Sequence, residues 1–170
     1  MCGKRYINEN TGPAGYLCNC VYIMEHVEKW REIFLTLKLD EATNNPVLSY
    51  GSYDGGRSLK SHIESNPDSV RKLQIDYGKG PNLKDLLEIS ENLQIERRGS
   101  TLAFLVKNLY ECFLQRDAVS ISVAPLIVTE EKLFYCANPR ITVDPRSHYR
   151  QASILTQFDP TQMSAQERIA

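Results

Sequence analysis

The stretch "TLAFLVKNLYECFLQRDAVSISVAPLIV", residues 101–128, shows two kinds of periodicity in succession. Up to residue 114 the apolar side chains recur every three or four residues, which is typical of a helix buried on most of its surface. From residue 117 the period becomes two, because Ile121 and Val123 alternate with Ser120 and Ser122. Such alternation is typical of a half-buried strand. The stretch therefore predicts a central helix followed directly by a strand.

The segments on either side extend this pattern. "LFYCA" (133–137) and "ITV" (141–143) are predicted as short strands that form an antiparallel meander with the strand before them, with Pro125 at an edge or a bulge. The elements predicted upstream are a strand over residues 16–24, a helix over 25–39, a short strand over 47–50, a helix from Ser58 and a helix after Asn82.

The order of these elements predicts the fold class. We expect an α+β fold with an antiparallel or mixed sheet, a C-terminal meander and helices packed on one face. Regular alternation of strands and helices is missing, so a doubly wound sheet is the alternative. A single domain is expected over residues 1–158, followed by a polar C-terminal tail over residues 159–170 that suits partner docking.

Composition and charge limit the classes of function. The chain has 170 residues, with 20 basic and 21 acidic side chains and a net charge of −1. A dedicated nucleic-acid-binding protein usually presents a basic surface, so this balance disfavours that class. Five scattered cysteines, and the lack of an apolar segment long enough to span a bilayer, favour a cytoplasmic protein without membrane contact.

The segment "GSYDGGRS", residues 51–58, has the spacing of a phosphate-binding loop with Arg in place of Lys. In such a loop the backbone around Gly51 and Gly56 would approach a phosphate, Arg57 would clamp it and Ser58 would offer a hydroxyl group to a metal ion. Asp54 argues against this site because it would place an anion inside the loop. The alternative is a turn from a short strand into a helix, in which glycine permits the backbone conformation.

A second candidate site is the basic segment over residues 140–150. It brings Arg140, Arg146 and Arg150 close together in sequence, with His148 and Tyr149 between them. Such a cluster suits contact with a phosphate group, a single RNA strand or an acidic protein surface. Charges on a solvated loop are the simpler explanation.

Two catalytic patterns are incomplete. His26 and Glu28 form an H-x-E pair, but the C-x-x-C that supplies thiolate ligands in zinc deaminases does not follow. A Cys–His hydrolase needs a thiol beside an imidazole, and nothing in the sequence brings Cys112 or Cys136 next to a histidine. We therefore expect no catalytic residue, no cofactor and no metal site.

Without a complete catalytic pattern, the sequence predicts a non-enzymatic accessory, inhibitor or immunity-type protein that acts through protein–protein contacts. Nine tyrosines would supply anchors for an interface with a protein partner. The alternative is an enzyme that binds a nucleotide or another phospho-ligand through residues 51–58. A third possibility is an RNA-binding module that uses residues 140–150.

Overall fold

The computed structural model describes residues 2–7, 11–53, 58–95, 98–131 and 133–157. The chain divides into two units, one formed by residues 1–26 together with 150–170 and the other by residues 27–149. The predicted polar tail, residues 159–170, lies outside the described residues. A single domain that ends at residue 158 therefore stays a prediction.

The first unit contains a small antiparallel sheet. Strand β1 (Arg5–Tyr6) pairs with strand β2 (Tyr16–Leu17), and a short helix, Ala152–Leu155, belongs to the same unit. The strand predicted over residues 16–24 is wrong beyond Leu17. Its partner β1 offers only two residues, so the ladder of backbone hydrogen bonds that defines a strand ends there.

The second unit is built on a six-stranded antiparallel sheet, whose strands are β3 (Arg31–Leu39), β4 (Pro46–Ser52), β5 (Arg71–Gln74), β6 (Ala118–Val128), β7 (Phe134–Cys136) and β8 (Pro139–Val143). The order is β5–β4–β3–β6, and β7 and β8 both pair with the outer edge of β6. The register between β3 and β6 shifts so that Ala124 and Pro125 lie opposite Phe34. The bulge predicted at Pro125 is therefore present.

Residues 25–39 do not form the predicted helix. Most of this segment is strand β3, which lies between β4 and β6 in the middle of the sheet. The core that includes side chains of two helices covers one face of β3, and the cluster around Phe34 covers part of the other, so Ile33, Phe34 and Leu35 are all buried. Apolar side chains on both faces remove the two-residue alternation, and the spacing of the remaining apolar side chains imitates a helix.

Three helices of the second unit agree with the sequence. The first, α1 (Leu59–Ser65), begins after Ser58, whose hydroxyl group caps its first turn. The second, α2 (Leu83–Asn92), begins after Asn82, whose side-chain oxygen does the same. The third, α3 (Gly99–Gln115), contains the apolar stretch that precedes β6. Two 3-10 turns, Pro67–Ser69 and Pro145–Ser147, follow α1 and β8.

Helices α2 and α3 pack together on one face of the sheet. The core between them draws buried side chains from both helices and from the facing side of the strands, among them Ile33, Leu48, Leu86, Leu102, Val106 and Ile121. Burial of each large apolar side chain stabilises such a core by about 1.5–3 kcal/mol. The predicted α+β class, with an antiparallel sheet and helices α2 and α3 packed on one face, is confirmed.

Candidate functional site on the polar face of the sheet

The face of the six-stranded sheet that is turned away from α2 and α3 is polar along much of its length, and we call it the polar face. Successive side chains of a strand point to opposite faces. Leu35 and Leu37 of β3 lie in the core against the helices. Thr36, which is half-buried, and Lys38, which is exposed, therefore lie on the polar face.

Side chains that pair directly across the strands form a row on this face. Thr36 lies opposite Ser49 of β4 and Ser122 of β6, and the row ends in Lys72 of β5 and Arg140 of β8. We call these residues the hydroxyl row. Thr36 Oγ1 and Ser122 Oγ are 3.2 Å apart, within hydrogen-bonding distance. Because neighbouring strands are about 4.8 Å apart, the row spans roughly 19 Å between its two cationic residues.

A second row of side chains runs beside the first, two residues further along each strand. Lys38 is at its centre, opposite Val47 of β4 and Ser120 of β6, and Thr142 of β8 lies beyond Ser120. Side chains two residues apart on one strand are separated by about 6.8 Å. The long side chain of Lys38 can therefore bring its ammonium group to the centre of the hydroxyl row.

One end of the polar face forms a pocket of about 470 Å³, a volume typical of small-molecule sites. Lys38, Ser49 and Lys72 line it together with two acidic residues of the loop after β3, Asp40 and Glu41. Two apolar side chains, Leu39 and Val47, complete the lining. The pocket thus offers hydroxyl, ammonium, carboxylate and apolar groups to one ligand.

Electrostatic interactions in this pocket favour the charged form of Asp40. The Thr43 hydroxyl group donates a hydrogen bond of 2.7 Å to Asp40 Oδ2, and this bond is the main reason why the pKa of Asp40 is lowered. The positive charge of Lys72 acts in the same direction. Lys72 therefore already has a carboxylate neighbour.

The other end of the polar face is closed by apolar packing. Phe34, Tyr53 and Ala124 form a buried cluster, and side chains of α1 pack against it. Burial raises the pKa of Tyr53, and the charge of Glu32 raises it further, whereas the charge of Arg140 lowers it. Arg140 is therefore near enough to the closed end for its charge to act on Tyr53.

The predicted phosphate loop begins at this closed end. Gly51 is part of β4, and a Cβ atom there would lie 2.8 Å from the ring of Phe34, so the glycine is explained by packing. Ser58 caps α1, while Gly56 and Arg57 lie outside the described residues. Binding of a phosphate by residues 51–58 therefore stays a prediction.

The predicted basic segment is divided between several elements. Arg140 lies on β8 in the hydroxyl row, and Arg146 lies in the 3-10 turn that follows. The rings of His148 and Tyr149 contact each other edge to face, with centroids 6.0 Å apart. Arg150 belongs to the first unit. Binding by the segment as a whole stays a prediction.

Sequence reasoning missed Thr36, Lys38, Ser49, Lys72 and Ser122 as members of one site. Lys38 was assigned to a helix, and Ser122 was noticed only as the polar side of an alternating strand. Single polar residues inside apolar strands were the available signal. The register that aligns them cannot be read from one sequence, because it depends on which strands become neighbours.

Comparison with known proteins identifies the family. Residues 1–128 match the ATP-grasp domain family. The chain belongs to this family. This ATP-grasp chain is 30% identical over 173 residues to the beta subunit of a mitochondrial GDP-forming succinate–CoA ligase from Caenorhabditis elegans, with 98% of this chain and 41% of that protein covered. It is 28% identical over 172 residues to the beta subunit of a mitochondrial ADP-forming succinate–CoA ligase from Columba livia, with 100% and 41% covered.

The fold of this ATP-grasp chain also resembles a solved structure. ATP citrate lyase from Methanothrix soehngenii, in complex with citrate and coenzyme A, superposes with a TM-score of 0.56 at 14% identity, over 84% of this chain and 32% of that one. At this level of identity the likeness shows the fold alone. The chain spans about 41% of the length of the two succinate–CoA ligase subunits.

The predicted role as a non-enzymatic accessory, inhibitor or immunity-type protein is wrong. Membership of the ATP-grasp family and similarity to ligase subunits contradict a protein defined by protein–protein contacts, and they favour the nucleotide-binding alternative. The prediction rested on the lack of a complete catalytic motif. Residues of the polar face come from five separate strands, so they form no motif in the sequence.

Within the part of the chain that the structure describes, no group of three or more His, Cys, Asp or Glu side chains is placed to hold a metal ion. Over the same residues, none of the helices has both the length and the apolar character that crossing a bilayer requires.

Proposed function

We propose that this chain binds a purine nucleotide as part of an ATP-grasp ligase. The match of residues 1–128 to the ATP-grasp domain family carries the proposal. The two curated relatives are subunits of ADP-forming and GDP-forming succinate–CoA ligases. The reaction class we propose is therefore the formation of a CoA thioester at the expense of a nucleoside triphosphate.

The polar face is where we place the phosphate groups. Thr36 and Ser122 have hydroxyl groups that can donate hydrogen bonds to phosphate oxygens. Arg140 stands next to Ser122, and its planar guanidinium group suits paired hydrogen bonds to a phosphate. The role of these side chains is to bind and orient the phosphate chain.

The pocket beside the hydroxyl row is suited to the nucleoside. Asp40 and Glu41 offer carboxylate oxygens that accept hydrogen bonds from ribose hydroxyl groups, as acidic residues do in other nucleotide sites. Leu39 and Val47 provide apolar surface for a base. The volume of about 470 Å³ is within the range that such ligands occupy.

An ATP-grasp enzyme also implies a divalent metal ion that accompanies the nucleotide. Mg²⁺ is usually held by one or two carboxylates together with phosphate oxygens. The centre of the polar face presents hydroxyl groups beside Lys38 and Arg140, and this donor set does not fit Mg²⁺. No reaction step is therefore assigned to a metal.

We further propose that the chain works with a partner protein. Both relatives are named as beta subunits, and the chain spans about 41% of their length. Purification of the tagged chain from its own cells should recover a second polypeptide in stoichiometric amount, and recovery of the chain alone would contradict this proposal. Fractionation of the same cells tests the predicted cytoplasmic location against the mitochondrial one named for both relatives.

Calorimetric titration of the full chain with ATP and with GTP tests the nucleotide site. Thr36→Val and Ser122→Ala should each weaken binding about two- to tenfold, which corresponds to the loss of one hydrogen bond. Thr101→Val is the matched control, because Thr101 is exposed on α3, on the other side of the sheet. Failure of both nucleotides to bind, or equal affinity of all three variants, would contradict the proposal.

The predicted loop at residues 51–58 is tested in the same titration. If that loop holds the phosphate chain, Arg57→Ala will weaken binding while Thr36→Val leaves it unchanged. If the polar face holds it, the effects will be reversed.

A further inference from the structure

We infer that the phosphate charge of the nucleotide is neutralised by Lys38 and Arg140 on the polar face, so that binding does not depend on Mg²⁺. The inference rests on the proposed nucleotide-binding function. The proposed function does not decide which groups neutralise the phosphate charge, because a nucleotide site can do so with metal ions, with side chains or with both.

Lys38 and Arg140 flank the central hydroxyl groups from two sides. Arg140 pairs directly with Ser122, and Lys38 lies two residues from Thr36 on the same strand. Both cationic side chains are exposed, and neither forms an ion pair within 4.0 Å with another described residue. Two positive charges therefore converge on the pair of hydroxyl groups that we assign to phosphate.

Lys72 lies at the other end of the hydroxyl row in a different electrostatic environment. It lines the pocket with Asp40 and Glu41, as Lys38 also does, and its charge lowers the pKa of Asp40. The two carboxylates would repel a phosphate group placed deep in this pocket. The phosphate chain is therefore expected at the hydroxyl row, between Arg140 and the ammonium group of Lys38, with the nucleoside at the acidic end.

The same charges disfavour a divalent metal ion at the centre of the face. A Mg²⁺ ion beside Thr36 and Ser122 would be repelled by Lys38 and by Arg140. The carboxylate that β3 places on this face, Glu32, already forms an ion pair of 3.2 Å with Lys29. Cationic side chains thus lie beside the hydroxyl groups that we assign to phosphate.

The test is a calorimetric titration of the full chain with ATP, once with MgCl₂ and once with EDTA. The two dissociation constants should agree within about threefold, since the main neutralising charges belong to the protein. Inorganic tripolyphosphate should compete with ATP in EDTA, because the phosphate chain carries the interaction.

Charge-removing variants locate the site. In EDTA, Lys38→Gln and Arg140→Gln should each weaken ATP binding about tenfold, the size expected for one charge-assisted hydrogen bond. Lys72→Gln should change it less than about twofold, because Lys72 lies at the far end of the hydroxyl row from Ser122 and Arg140. Lys107→Gln is the control for lost charge alone, since Lys107 is exposed on α3.

The outcomes distinguish a failure of the inference from a failure of the proposed function. Binding of ATP that requires Mg²⁺ would overturn the inference and leave the proposed function standing. No binding in either buffer would overturn both. Unchanged affinity of Lys38→Gln and Arg140→Gln, with unchanged thermal unfolding, would place the phosphate on another surface. Amide chemical shifts of Thr36 and Ser122 on addition of ATP in EDTA provide a measurement that needs no variant, and unmoved shifts would also overturn the inference.

Discussion

Replacement of Gly51 by alanine should destabilise the fold through overpacking. A Cβ atom at Gly51 would lie 2.6 Å from the backbone carbonyl oxygen of Ser69 and 2.8 Å from the Phe34 ring. The Phe34 side chain is fully buried and the Ser69 oxygen belongs to the backbone, so neither can rotate away at low cost. The φ angle of Gly51 lies outside the left-handed region, so steric contact alone is tested.

Two opposing effects set the size of this change. Overpacking of a buried position costs about 1–3 kcal/mol. Loss of backbone freedom in the unfolded chain offsets about 0.4–1 kcal/mol of that. We therefore expect the free energy of unfolding to fall by roughly 1–2 kcal/mol. For a chain of this size the midpoint of thermal unfolding should fall by roughly 2–8 °C.

Urea unfolding followed by circular dichroism measures the effect, and Gly78→Ala is the matched control. A Cβ atom at Gly78 would meet only Asp76 Oδ1, at 3.4 Å, so the control should keep its stability or gain up to about 1 kcal/mol. Equal stability of Gly51→Ala and the wild-type chain would refute the packing argument. If that variant were stable yet had lost ATP binding, the glycine would serve a phosphate loop instead.

Three further predictions concern single hydrogen bonds. Tyr110→Phe removes the 2.8 Å hydrogen bond that the Tyr110 hydroxyl group donates to the Tyr77 carbonyl oxygen. It should lower the free energy of unfolding in urea by about 0.5–1.5 kcal/mol. Tyr77→Phe is the control, because it keeps the backbone acceptor and should leave the free energy of unfolding almost unchanged. Asn82→Ala removes the cap of α2 and should lower the free energy of unfolding by about 1 kcal/mol in the same assay, and an unchanged value would contradict the cap. The pKa of Asp40 is lowered in the fold, so its contribution to stability is present above the ordinary pKa of 3.8 and is lost as the pH falls through the lowered pKa. Thr43→Ala should move that pKa back up in an NMR titration, and no movement would show that the hydroxyl group is not the main cause.

Elements with local signals were predicted well. The helix after Asn82 and the helix from Ser58 begin where the capping residues indicate, because a cap is a contact between residues close in the chain. The apolar side chains of α3 recur every three or four residues, and those at the start of β6 recur every second residue. The change of period after residue 114 therefore marks the boundary between the two elements. Strand β5 was not predicted, because four residues that are mostly exposed carry almost no periodic signal.

Elements that depend on their neighbours were predicted poorly. The segment around Ile33, Phe34 and Leu35 resembled a helix because apolar clusters cover both faces of the strand at this point. A strand covered on one face alone would have kept its alternation. The functional prediction failed for a related reason, since the polar residues of the candidate site lie on five strands separated along the chain.

The sequence by itself determined the α+β class, the capped helices and the long strand that follows α3, because each arises from contacts between residues near one another in the chain. Only the tertiary structure decided that Thr36, Ser49 and Ser122 lie in one row with a cation at each end. A shift of one residue in the pairing would turn Thr36 toward the core and Leu37 toward the polar face. The apolar packing of β3 and β6 against α2 and α3 excludes that shift, and the same packing thereby aligns the polar face.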